Sequence, residues 1–184
     1  MGQEEALGRV AFGEGRVLEV VLHDLLREKT DGIVNAANGG LAHGGGVAAA
    51  IARAAGPELD EACEQIIAER GEIATGGAVL TTAGELPFKG VIHAVGPRRG
   101  QGDEEAKLAR ALVSAFEIAA QQGWQSLSFP AVSSGIFGVP PEVCARAYLA
   151  AAREFFKART SLRKLRLVLV EGPVAEVLRK SLAA

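Results

Sequence analysis

Short apolar runs alternate with segments of helical period along almost the whole chain, and that alternation limits the possible folds more than any other feature of the sequence. Residues 8–13 and 16–22 read as two strands of a hairpin turned by Gly13-Glu14-Gly15. Residues 32–35 read as a buried strand. Residues 45–55 follow as an Ala-rich helix, with Val47 and Ile51 four apart and Gly56-Pro57 as its end. Pro57 opens a second helix that places Leu59, Cys63, Ile66 and Arg70 on one face and stops at Gly71. Further strands are expected at 78–82, 90–95, 126–129 and 165–170. A long helix runs from Asp103 to Gly123, another begins at Pro140-Pro141, and a last one covers 174–182. Strands that alternate with helices require an α/β sheet covered on both faces, and the initial hairpin makes that sheet mixed. With no linker, repeat or low-complexity segment, residues 1–184 read as a single domain.

The composition narrows the classes of partner. Hydrophobic residues make up 48% and charged residues 23%, as in ordinary soluble proteins. No apolar run approaches the ~20 residues of a membrane span, and the acidic start Met1-Gly2-Gln3-Glu4-Glu5 lacks a secretory pattern. A cytoplasmic protein with no membrane partner is expected. A formal net charge of −2 gives no support for nucleic-acid binding, and the basic stretch Arg159–Arg166 reads as a solvated helix end and loop. Cys63 and Cys144 are far apart, lie in separate helices and read as buried reduced thiols.

Glycine is the one residue type in excess, and many of the 23 fall in two loops. The first, from Asn35 to Val47, follows a buried strand and opens a helix, the place where open α/β sheets bind ligands. Its Gly44-Gly45-Gly46 lets the backbone approach a ligand closely, and the helix that follows offers N–H groups to an anion. Of its two carboxamides, Asn35 and Asn38, one is expected to meet ribose hydroxyls and the other to tie down the loop. The second loop, from Pro130 to Gly138, again joins a strand to a helix and suits a second phosphate cradle. Together the two loops favour a diphosphate clamp. Neither contains the lysine motif of a nucleotide triphosphatase, and the G-x-G-x-x-G of a dinucleotide dehydrogenase is absent from the first strand–helix junction.

Four linked motifs carry a resemblance. Val34-Asn35-Ala36-Ala37-Asn38 with Gly44-Gly45-Gly46-Val47, then His93-Ala94-Val95-Gly96-Pro97, then Phe129-Pro130-Ala131-Val132-Ser133, then Ser134-Gly135-Ile136-Phe137-Gly138 resemble a macrodomain. The resemblance implies a three-layer α/β/α sandwich with a mixed central sheet and a cleft for ADP-ribose, free or attached to protein. It also implies that Asp24, next to Leu25, accepts a hydrogen bond from the adenine amino group. Asn38 would meet the distal ribose, Gly44–Val47 the diphosphate and that ribose, and Ser134–Phe137 the diphosphate from the other side, with Ser133 also among the ligand-contacting residues. Phe137 reads either as a cover over the distal ribose or as a core residue.

Three departures from the family pattern stand out. His23 replaces a glycine, Val170 stands where many relatives stack an aromatic on adenine, and Ala48 stands where one hydrolase branch has a catalytic Asp. Two functions survive. One is hydrolysis that releases ADP-ribose from acidic side chains or related esters at the distal C1″, with Asn38 and Gly45 positioning the substrate. The other is a non-catalytic reader. His43 is placed among the ligand-contacting residues, whereas His93 reads as a core histidine satisfied by the backbone. No metal or cofactor is expected, and a monomer is the default.

Overall fold

The computed structural model describes residues 4–183; Met1–Gln3, on which the reading of the N-terminus partly rests, lie outside the described residues, as does Ala184. The hairpin forms as β1 (Glu5–Ala11) and β2 (Val17–Leu22). Its turn holds Gly13, Glu14 and Gly15, all at positive φ, which explains two glycines within three residues. Five more strands follow: β3 (Gly32–Ala37), β4 (Ala78–Thr81), β5 (Val91–Val95), β6 (Ser126–Phe129) and β7 (Lys164–Leu169). They make one seven-stranded sheet of order β1-β2-β7-β6-β3-β5-β4. The five inner strands are parallel, and β1 and β4 pair antiparallel at the two edges.

Helices α1 (Gly46–Ala55) and α2 (Pro57–Arg70) cover one face. There Ile51, Ala55, Leu59 and Cys63 pack on Ile33, Val91 and Val168 of the sheet. Helices α3 (Glu104–Gln121), α4 (Pro141–Phe155) and α5 (Pro173–Leu182) cover the other, around Phe116, Phe129, Tyr148 and Leu167. The result is the three-layer sandwich with a mixed sheet. Its element boundaries sit at the glycines and prolines that mark them in the sequence. Gly56, at φ +80, and Gly71, at φ +75, end α1 and α2, while Pro57, Pro141 and Pro173 each occupy the first turn of a helix. Arg70, placed on the inner face of α2 from its spacing, is exposed in the last turn.

The crossovers leave β3 toward α1 on one face and β6 toward α4 on the other. The carboxyl ends of these adjacent parallel strands are therefore a topological switch point, where a crevice must open because neighbouring chains depart in opposite directions.

A further expectation changes. Arg166 is not part of a solvated basic end. It lies within β7, level with Glu19 of β2 and Ser128 of β6, and its guanidinium binds Glu28, Glu19 and Glu4. The alternation Lys164-Leu165-Arg166-Leu167 gives it one face of the sheet, and the buried Glu28 supplies the compensating charge. The remaining arginines of the stretch crowd a second cavity of about 540 Å³ at the amino ends of β2 and β7. There Arg163 donates to the Glu14 carbonyl, as Arg16 does to those of Phe156 and Ala158. Both cysteines are buried free thiols.

Candidate functional site

A cleft of about 750 Å³ opens at the switch point. Such a volume lies within the range of small-molecule sites. Its walls come from four strand ends, residues 23–26 after β2, 36–48 around the end of β3, 130–137 after β6 and Val168–Val170 closing β7, with Arg98 joining them from beyond β5.

The wall after β3 is the glycine loop. Asn38 lines the cleft and closes the loop with both ends of its amide: Nδ2 donates to the Ala42 carbonyl and Oδ1 accepts from the Ala42 N–H, at 2.9 and 3.1 Å. Gly45 is extended, and Gly46 turns into α1 at φ +58. The first helical bond is from Ala49 N–H to Gly45 C=O, so the amides of Gly46, Val47 and Ala48 have no partner within the helix. Three such donors beside the positive end of α1 form an anion-binding edge. Gly44, Gly45, Gly46 and Val47 all line the cleft, and Ala48 presents only a methyl group there.

The opposite wall, after β6, is tightly wound. Ser134 N–H reaches Ala131 C=O, Gly138 N–H reaches Gly135 C=O, and Val139 N–H reaches Ser133 C=O. Ser133 sits at φ +68 and is buried, with its Oγ unpartnered among the described residues. An unsatisfied hydroxyl on a left-handed non-glycine residue is the kind of local cost that collects at functional sites. The loop is held there by β5. A Cβ on Gly96 would stand 2.2 Å from Ser133 Oγ and 2.9 Å from Val132 Cγ1, so only glycine permits this packing. Ser134, Gly135, Ile136 and Phe137 complete the wall. Phe137 is half-buried, with the Arg98 guanidinium 4.2 Å over its ring. It lines the cleft and is no core phenylalanine.

Two large apolar side chains that line the cleft, Ile136 (84% exposed) and Val170 (79% exposed), stand open to solvent. Isolated exposed aliphatics are unremarkable, but these two line one cleft, and a bound ligand would cover them.

At the far end, Asp24 lines the cleft and its Oδ1 accepts from Leu26 N–H at 2.9 Å, capping a 3-10 turn at Leu25–Arg27. The cap and the cleft position coexist, because a carboxylate has more acceptor sites than one cap uses. Leu25 is largely buried and forms part of the floor. His23 also lines this end, and its Nδ1 lies 2.7 Å from Glu28 Oε1. Burial alone would raise the Glu28 pKa, but hydrogen bonds from Arg166, Ser128 and His23 outweigh it and hold the carboxyl below its ordinary range.

Two expected contact residues are elsewhere. Asn35 is fully buried beneath the loop, because successive residues of β3 point to opposite faces, and its amide meets His93. The loop-tying role falls to Asn38 instead. His43 turns away from the cleft toward α2, where its Nδ1 lies 2.9 Å from Asp60 Oδ1. His93 is the core histidine expected, held by side chains: Nδ1 lies 3.1 Å from Asn35 Nδ2 and Nε2 lies 2.8 Å from Thr81 Oγ1. Burial, aided by neighbouring His43, lowers its pKa to about 3, so the ring is neutral. Arg98 is the charged cleft residue that the sequence reading missed. Its signal was position, two residues beyond Gly96 at the carboxyl end of β5.

Comparison with known proteins places this arrangement. Residues 34–148 match the Macro domain family model. An O-acetyl-ADP-ribose deacetylase of Enterobacter sp. (strain 638) is 40% identical over 167 residues, covering 90% of this chain and 93% of that protein. Among solved structures, an Oceanobacillus iheyensis macrodomain with ADP superposes with a TM-score of 0.90 at 32% identity, over 99% of this chain and 97% of the other. A Trypanosoma brucei macrodomain in complex with ADP-ribose gives a TM-score of 0.79 at 29% identity, covering 89% and 68%.

Proposed function

Because the chain belongs to the macro domain family, we propose that its cleft binds ADP-ribose and that the protein hydrolyses ADP-ribose derivatives. The single observation that carries the reading is the pair of glycine-containing walls facing each other across one switch point, with a carboxylate at one end of the same cleft. In the proposed pose, adenine lies at Asp24 and Leu25, between His23 and Val170. The diphosphate crosses the amides of Gly46–Ala48 and the 133–137 loop, and the distal ribose meets Asn38, Gly44, Gly45 and Phe137.

The reaction releases ADP-ribose from an ester on an acidic side chain, or cleaves a small acyl ester of the ribose such as the acetyl ester named for the Enterobacter relative. Water enters at the ester and the carboxylic acid leaves. Ala48 offers no acid or base, so the substrate's own phosphate and backbone carbonyls would orient the water. Catalysis then rests on positioning and preorganised dipoles. Ala48 is also the observation that favours the second reading, a reader that binds without turnover. We place the protein in the cytoplasm as a single-domain monomer acting on ADP-ribosylated proteins or free ADP-ribose esters. No helix among the described residues is long and apolar enough to cross a membrane.

The test is calorimetric titration with ADP-ribose, ADP and AMP on the parent and Asp24→Asn, followed by an ester-release assay. Asn keeps the cap acceptor but points a donor at the adenine amino group. Its expected cost is about 10- to 100-fold in affinity, the ~1.5–3 kcal/mol of a charge-assisted hydrogen bond. ADP-ribose binding no tighter than ADP would refute the proposed pose. Tight binding with no ester release above buffer would leave the reader.

A further inference from the structure

Beneath the glycine loop, on the side away from the cleft, three side chains from three separate elements converge: His43 on the loop, Cys63 on α2 and His93 on β5. The Cys63 Sγ lies 3.9 Å from His43 Nε2 and 3.8 Å from His93 Nε2, and the three ligand atoms all lie within 4.8 Å of one another. A tetrahedral Zn²⁺ with bonds of ~2.3 Å to thiolate and ~2.0 Å to imidazole sets sulfur and nitrogen about 3.6 Å apart. Both sulfur–nitrogen spacings need to close by only a few tenths of an ångström. Thr81 Oγ1, beside His93 Nε2, marks a fourth position that it or a water can fill.

The surrounding groups fit the same chemistry. Asp60 accepts at His43 Nδ1, which fixes that proton and leaves Nε2 as a lone-pair donor facing Cys63, the carboxylate–histidine–metal relay found around metal sites. On the other histidine, Asn35 presents its Nδ2 to His93 Nδ1, while its buried Oδ1 has no partner among the described residues. Turning that amide over would set Oδ1 against a protonated Nδ1 and free His93 Nε2 to coordinate. The same residues also have the order of a Cys–His–Asp nucleophile. That reading fails, because burial and, secondarily, the Asp60 carboxylate push the Cys63 thiol up to about 11, and the sulfur is almost wholly enclosed.

We propose that His43, Cys63 and His93 form a structural Zn²⁺ site that pins the glycine loop to α2 and β5. Each ion bound displaces one proton, from the Cys63 thiol, so affinity falls as pH is lowered.

The experiment is competition of the chelator-stripped full chain with a chromophoric Zn²⁺ indicator, and Co²⁺ substitution read by absorption. One ion per chain is expected, with about one proton released and a thiolate-to-Co²⁺ charge-transfer band. Cys63→Ser should lose the band and weaken Zn²⁺ by more than 100-fold, Asp60→Asn should weaken it about 10- to 100-fold, and Cys144→Ser should change nothing. The proposal is overturned by the absence of stoichiometric Zn²⁺ binding to the parent, or by a Co²⁺ band that survives Cys63→Ser. The parent's own spectrum and proton count decide the matter even if a variant fails to fold.

Discussion

Replacing Gly96 with alanine should damage the cleft from behind. The added methyl would stand 2.2 Å from Ser133 Oγ, 2.9 Å from Val132 Cγ1 and 3.3 Å from Leu108 Cδ1, all on buried residues. Overpacking by one carbon in such a place costs about 1–3 kcal/mol. For a chain of this length that lowers Tm by roughly 3–9 °C. Relief can come only by pushing the 130–137 loop toward the cleft, because β5 is clamped between β3 and β4. ADP-ribose affinity should therefore fall together with stability. Ser133→Gly supplies the internal control: it removes the clashing hydroxyl and the strain of a side chain at φ +68. The double variant should recover most of both losses, giving a coupling of at least ~1 kcal/mol in a double-mutant cycle. Thermal melts and calorimetry on the four proteins measure it. Strict additivity, or a Gly96→Ala protein with unchanged Tm and affinity, would refute the reasoning.

Three further outcomes are expected. Val170→Phe, at a cleft-lining position where the side chain is largely exposed, should leave Tm within a degree or two and tighten ADP-ribose by up to ~1–3 kcal/mol through adenine stacking, read by titration. Ile136→Ser should likewise leave Tm unchanged and weaken ADP-ribose by about 3- to 10-fold, since only a bound ligand can bury that side chain. In acid, Glu28 is the group to follow: its folded-state pKa lies below the unfolded one, so its stabilisation is complete above the unfolded value and is lost as pH falls through the folded one. Glu28→Gln should flatten the acid limb of a stability–pH curve while lowering stability near neutrality, because Arg166 loses a buried partner.

The sequence exposed the skeleton because punctuation and period agree along it. Gly56-Pro57, Gly71 and Pro140-Pro141 stop or start helices at the positions their backbone chemistry requires, and Leu167-Val168-Leu169 form an unbroken apolar run because the second half of β7 is buried on both faces. The cleft was legible to the extent that backbone forms it: the two loops follow strands whose carboxyl ends must share an opening. Side-chain direction was not legible. Asn35 and Asn38 are both carboxamides of one motif, yet the pleat of β3 buries the first, while the second, just beyond the strand, lines the cleft. His43 lies between cleft-lining Ala42 and Gly44, but Asp60 on α2 draws it away, and nothing local announces a partner 17 residues distant. Arg166 misled for the same reason: its partners Glu4, Glu19 and Glu28 are more than a hundred residues away, and composition alone made it look solvated.

The parallel pairing of β2 with β7, from Val17↔Lys164 to Leu22↔Leu169, has a consequence for biosynthesis. The β1–β2 hairpin has no place in the sheet until β7 lies beside it, yet Asp24 hangs from the end of β2. A ribosome delivers the two glycine walls long before it delivers the strand that brings Asp24 to them. Until residue 169 has been made, a nascent chain holds Asp24 without the strand that docks it beside the two glycine walls, so the cleft cannot be completed before that point. Of the sheet's seven strands, β7 comes latest in sequence and is the one that joins the two loops and Asp24 into one cleft.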